Sequence, residues 1–133
     1  PKYLKRMLTL CEKKDLVFTS RYQKPGGGSE DDDVVTSTGN FFFTFFGNLF
    51  FKLNISDILF TYILGKTKSF KKMKLSRHDF RICVELPIRA KRLKLEYACM
   101  PSFERARIGG KKKVNPIKDG FLILTEMIRL FFK

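Results

Sequence analysis

The sequence predicts an α/β fold. Segments with apolar residues at helical spacing alternate along the chain with short apolar runs that end in polar residues. Apolar residues make up 44% of the 133, enough to build a packed core. The order that follows is helix, strand, loop, helix, strand, helix, strand, loop, helix. Three strands are few for a self-sufficient sheet of this class, where the mean is about 5–6, so part of the fold is expected to lie outside the chain.

Leu4, Met7, Leu8 and Cys11 recur at helical spacing with Lys and Glu between them, and an amphipathic helix is predicted over residues 2–14. "DLVFTSRY" follows as a buried strand. It delivers Ser20 and Arg21 to its C-terminal edge, where open α/β sheets bind ligands. "QKPGGGSEDDD" reads as a flexible loop. Its run Glu30 to Asp33 invites a metal, but consecutive carboxylates repel one another and face water, so a solvated run is the favoured reading.

"NFFFTFFGNLFFKLN" is a helix dominated by phenylalanine and interrupted by Thr44, Gly47 and Asn48. It is too short for a membrane span, which needs about 20 apolar residues. A buried helix and a helix lying in the membrane interface both stay open. Lys52 and the later basic residues would favour an anionic lipid surface, at about 1 kcal/mol per charge. "SDILFTYILG" is a second strand with Asp57 at its mouth, and "KTKSFKKMKLS" a basic, polar connection. In "HDFRICVELPIRAKRLK" Phe80, Val84 and Ile88 keep helical spacing, with Pro87 kinking the helix or delaying its start. "LEYACMPSF" is the third strand.

The loop "RARIGGKKKVNPIKDGF" then gathers basic residues around the pair Gly109-Gly110. "NPIKDGFLILTEMIRLFFK" closes the chain as a helix. Phe121, Leu122, Leu124, Thr125, Ile128 and Phe132 fall near one side of it. Apolar coverage this wide means that the helix packs on a partner or lies in a bilayer surface.

Lys and Arg number 27 against 13 Asp and Glu, a formal net charge of +14. Such a charge attracts polyanions: nucleic acid, anionic lipid or phosphorylated substrates. Cys11, Cys83 and Cys99 are odd in number and none are at CxxC spacing, which argues against a disulfide framework or a zinc site. No pattern marks a Ser-His-Asp site around His78, the single histidine. No cleavable signal peptide is visible, and a start without Met is expected of a processed or truncated polypeptide.

Four of these segments, in this order, carry a resemblance. They are the strand ending Ser20-Arg21-Tyr22, the Asn40 helix leading to Asp57, the Phe80–Glu85-Leu86–Ala90 helix, and Pro101, Arg107, Gly110, Lys112, Lys113, Asp119 and Gly120. The chain resembles the C-terminal half of the catalytic domain of glycosyltransferase family 2, nearest the dolichyl-phosphate mannose synthase type. The resemblance implies a partial GT-A-type (Rossmann-like) fold with amphipathic membrane-interface helices, residues 1–133 forming the C-terminal portion of one catalytic domain. It implies sugar transfer from a nucleotide-sugar donor to a lipid-phosphate acceptor such as a polyprenyl phosphate, on the cytoplasmic face of a membrane.

Ser20, Arg21, Arg105, Arg107, Lys112 and Lys113 take the phosphate- and substrate-binding positions. Asp57 and Glu85 take the catalytic positions that shape the sugar or metal side. Mg²⁺ or Mn²⁺ is expected on residues outside this chain, in a missing N-terminal half or partner subunit, without which the chain is expected to be inactive. Asp31-Asp32-Asp33 lies in the wrong place for the family's metal motif. Val34 and Val35 stand where the family often has an Arg, and Phe60 and Thr61 where a small Gly is usual.

Two other classes compete. A small basic nucleic-acid module would interleave aromatic and basic residues, whereas here the phenylalanines form one run and no RNA-binding motif is present. No nucleic-acid partner is therefore expected. A non-enzymatic membrane-surface protein would need only the two phenylalanine-rich helices.

Overall fold

The computed structural model describes residues 2–110 and 114–133. Lys112 and Lys113, two of the implied phosphate contacts, lie outside the described residues. Those described form a mixed α/β fold with five helices and a small mixed sheet.

The centre is β1 (Leu16–Ser20), buried along its whole length. It runs antiparallel to β3 (Ile63–Gly65) on one side and parallel to β4 (Tyr97–Pro101) on the other. Side chains alternate across a strand, and the core divides accordingly. Val17 and Met100 pack with Met7 of α1 (Leu4–Lys13) on one face. Leu16 and Phe18 face the other way, against Met73 of α3 (Thr67–Met73) and Leu86 and Ala90 of α4 (Ile82–Arg92). A third cluster joins α4 to α2 (Val34–Phe51) and α5 (Pro116–Phe131) through Val84, Ile88, Ile123, Met127 and Leu130. A separate two-residue pairing aligns β2 (Gly28–Ser29) in parallel with β5 (Phe103–Glu104).

Several elements differ from the sequence expectation. The strand expected over residues 56–65 is strand only at Ile63–Gly65, so Asp57 sits in a loop and not at a strand mouth. Ile58 there is buried by docking on α2. The basic connection contains α3, whose Phe70 and Met73 are the anchoring pair. Helix α2 starts six residues before Asn40, at Val34, because the Asp33 side chain accepts from Thr36 N (2.7 Å) and caps it. Helix α4 continues through Pro87.

The interruptions in the phenylalanine run explain the loop. Asn40, Thr44 and Asn48 follow one another at four-residue spacing, a single stripe on α2. Asn40 Oδ1 accepts from Leu59 N (2.9 Å), and Thr44 Oγ1 from Ile58 N (3.1 Å). Asn48 takes Ile55 N (3.1 Å) and donates to Ile55 O (2.8 Å). Gly47 lets the loop come close: a Cβ there would stand 2.8 Å from Ile58 Cδ1. This polar ladder fixes the loop that carries Asp57.

Thr44→Val keeps the shape and removes the acceptor, leaving the Ile58 amide unpaired in the core. The expected cost is about 1–3 kcal/mol, read as a lower urea midpoint at unchanged slope. An unchanged midpoint would show that the ladder does not hold the loop.

Candidate functional site

A cleft of about 580 Å³ lies beyond the C-terminal end of β1, against the start of α2 and the residue 104–110 loop. Arg21, Asp31, Asp32, Phe60, Glu104 and Arg107 line it, with Gly109 and Gly110 on the loop side. The residue 104–110 loop and the end of the first strand therefore meet at one cleft.

Arg21 is nearly buried, at 7% exposure. Its Nε and Nη2 donate to the two oxygens of Asp57 at 2.8 and 3.0 Å, and its backbone N to Asp57 Oδ2 at 3.0 Å. Nη1 reaches Glu104 (3.2 Å) and lies 3.5 Å from Asp32. The Phe60 ring covers the guanidinium, 4.7 Å from its centroid. Burial alone would lower the Arg21 pKa, but the hydrogen bonds and charge of Asp57 outweigh it and hold the group charged. Ser20 is buried as well; its Oγ accepts from Ser56 Oγ (2.7 Å) and Tyr22 N (3.2 Å).

The acidic run does not gather around one point. Glu30 accepts from Ala106 N (3.1 Å), Asp31 from Arg107 Nη2 (2.8 Å), and Asp32 from the Tyr22 hydroxyl, while Asp33 caps α2. Ser29 Oγ accepts from Asp31 N and Asp32 N and donates to Glu104 (2.7 Å). The run is thus a latch that ties the basic loop to the end of β1. Burial, and then the bond to Asp32, raise the Tyr22 pKa, so this hydroxyl stays protonated as a donor. Asp32 Oδ1 is buried without a hydrogen-bond partner among the described residues.

Arg107 keeps 39% of its side chain exposed and faces the cleft. Arg105 is exposed and is not among the residues that line the cleft. Neither Asp57 nor Glu85, the two implied catalytic carboxylates, lines the cleft: Asp57 holds Arg21 from within the core, and Glu85 bonds a different set of residues. The Glu85 carboxylate, fully buried, accepts from Ser76 N (3.1 Å), Ser76 Oγ (2.7 Å), Arg77 N (2.9 Å) and Arg89 Nε (2.8 Å). It fixes the turn between α3 and α4. Cys83 lines the cleft, but burial pushes its thiol up to about 12, so it offers no thiolate at neutral pH.

Sequence reasoning missed Asp32 and Glu104 as cleft residues. The signal lay in contacts spanning some 75 residues, as from Ser29 to Glu104, which no local pattern reveals. Among the described residues, no group of three or more His, Cys, Asp or Glu is placed to hold a metal ion. No family model, no curated protein and no solved structure matches the chain.

Burial raises the Glu85 pKa, but its hydrogen bonds and Arg89 outweigh that and hold the carboxyl below its usual value. The stability this contributes is complete above the unfolded pKa, about 4.3, and is lost as pH falls through the folded one. Glu85→Gln is expected to flatten the decline of stability below that pH in acid unfolding curves. A decline as steep as the wild type's would contradict this.

Proposed function

We propose that the chain is the C-terminal portion of a family 2 glycosyltransferase catalytic domain with a GT-A-type fold. In this reading it works at a membrane surface, moving a sugar from a nucleotide-sugar donor onto a lipid phosphate. One observation carries the reading: the charged cleft opens at one end of an exposed apolar band. Thr36 near the start of α2 and Ile123 of α5 both line the cleft, and at the far ends of the same helices Phe50 and Phe51 meet Phe131. The two helices therefore run side by side in the same direction.

Their outward faces expose Phe41, Phe45 and Leu49 on α2, and Phe121, Leu124 and Ile128 on α5. The apolar side expected of the last helix is largely this outward face, while Ile123, Met127 and Leu130 turn inward. No described helix is long and apolar enough to cross a membrane. A substrate with an anionic head on an apolar chain matches a charged cleft beside such a band.

The acceptor phosphate is already an anion, so its oxygen needs little general-base help to attack the anomeric carbon as the nucleotide diphosphate departs. Charge neutralisation and positioning then supply most of the rate. Arg21 is held by Asp57 and Glu104, so the phosphate contact falls to Arg107, with Lys112 and Lys113 beside it in sequence. The Phe60 and Phe80 rings that line the cleft offer apolar faces suited to a sugar. A divalent cation held by residues outside this chain would neutralise the departing diphosphate.

The test is transfer by the native polypeptide that carries this chain, using labelled nucleotide sugars and polyprenyl phosphate in vesicles. A labelled glycolipid is expected. Arg107→Ala is expected to lower turnover roughly 10²–10³-fold, with partial recovery in Arg107→Lys. A folded, vesicle-bound polypeptide that transfers no sugar would overturn the reading and leave a membrane-surface protein without chemistry.

A further inference from the structure

A second charged hollow lies at the other end of the apolar band. Lys72, Lys74, Arg89, Arg92, Leu130 and Lys133 line a groove of about 400 Å³ where α3, α4 and α5 end. No Asp or Glu lines it among the described residues. Cations at helix C-termini often only offset the helix dipole, which leaves about half a negative charge at each end. Three such ends, with the Glu85 carboxylate that holds Arg89, leave five cations with an excess of roughly two to three positive charges. Arg89 Nη1 donates to Met73 O (3.2 Å), and Arg92 Nη2 to Leu130 O. Both arginines are tethered to backbone carbonyls; Arg89 is half-buried, while Arg92, Lys72, Lys74 and Lys133 are exposed.

The groove borders an apolar one. Phe50, Phe51, Phe131 and Phe132 line a hollow of about 230 Å³ between α2 and α5. Arg92 joins the two, its guanidinium 5.9 Å from the Phe51 ring centroid. The rings of Phe50 and Phe51 meet Phe131 edge-on at 74° and 85°. Phe46 and Phe50 stack at 17° beside them, and together the rings make an apolar wall for an acyl chain.

We propose that this basic groove binds the phosphate headgroup of an anionic phospholipid, with its acyl chain against the phenylalanine hollow. The site is separate from the cleft: the two share no lining residue, and along α5 Leu130 of the groove lies seven residues, roughly 10 Å, beyond Ile123 of the cleft. It extends the membrane reading given above and depends on it. Lipid held at the far end of the band and substrate at the near end would together lay α2 and α5 along the interface. The cleft mouth would then stand at headgroup level.

The experiment is vesicle flotation of the full chain at physiological salt, with phosphatidylcholine alone or mixed with phosphatidylserine. The groove variant combines Lys72→Gln, Lys133→Gln and Lys74→Asn. Asn is chosen at Lys74 because that residue has φ +48°, which Asn tolerates. The band variant combines Phe45→Ser and Leu49→Ser, and circular dichroism checks the fold of both.

The wild type is expected to prefer the anionic vesicles. One lysine near such a surface is worth about fivefold, so the groove variant is expected to lose roughly 10- to 100-fold of that preference. Its weaker binding to neutral vesicles should stay. The band variant is expected to lose both. A groove variant that keeps the full anionic preference overturns the proposal while membrane binding stands. A wild type that floats with neither vesicle overturns the membrane reading itself. Tight single-stranded RNA binding that only the groove variant loses would make the groove a nucleic-acid site and also overturn the proposal.

Discussion

The bidentate pair between Arg21 and Asp57 is the interaction on which the cleft depends. It joins the end of the central strand to a loop with no regular secondary structure, and both partners are buried. Removing one member of such a pair costs about 3–5 kcal/mol, because the other charge is left uncompensated. Its geometry is set from two sides. The stripe of Asn40, Thr44 and Asn48 holds the loop from α2, and Glu104 with Asp32 holds the guanidinium from the cleft. Phe60 closes over the arginine and limits its contact with water. The arginine thereby becomes a strut of the cleft wall, and the more exposed Arg107, paired with Asp31, faces the cleft.

The two long helices serve two surfaces at once. Their inner faces build the core with Val84 and Ile88 of α4. Their outer faces carry bulky side chains that remain half exposed, an arrangement soluble monomers rarely tolerate over a wide patch. A charged hollow stands at each end of this band: a cleft of mixed sign at the helix starts, and a basic groove at the helix ends. The net charge of +14 is thus unevenly distributed. The cleft carries three carboxylates beside Arg21 and Arg107, whereas the groove collects cations with no Asp or Glu lining it among the described residues.

What the sequence revealed follows physical lines. The first helix, the central strand and the last helix are regular in period, and the structure places each of them near its expected bounds. Ser20 and Arg21 at the C-terminal edge of β1 were legible from the strand's direction, whereas the approach of the basic loop to Arg21 came only as an implication of the family resemblance. "SDILFTY" was misread because an apolar run looks alike whether a neighbouring strand or a polar helix stripe buries it. Helix α3 was missed because its anchors are only Phe70 and Met73 among lysines. The acidic run resisted reading for another reason. Its four carboxylates serve four different partners, three of them distant along the chain or across a turn, and sequence spacing records none of these contacts.

The central claim is that the phenylalanine band beside the cleft faces lipid. The chain contains no Trp, so a single introduced one reports its own surroundings. Phe45→Trp sits on the band, and Leu8→Trp on the exposed side of α1, across the sheet. With vesicles of brominated phospholipid, the account predicts a blue shift and strong quenching for Phe45→Trp and neither for Leu8→Trp. Equal quenching at both positions, or none at Phe45→Trp while the protein is bound to the vesicles, would contradict it.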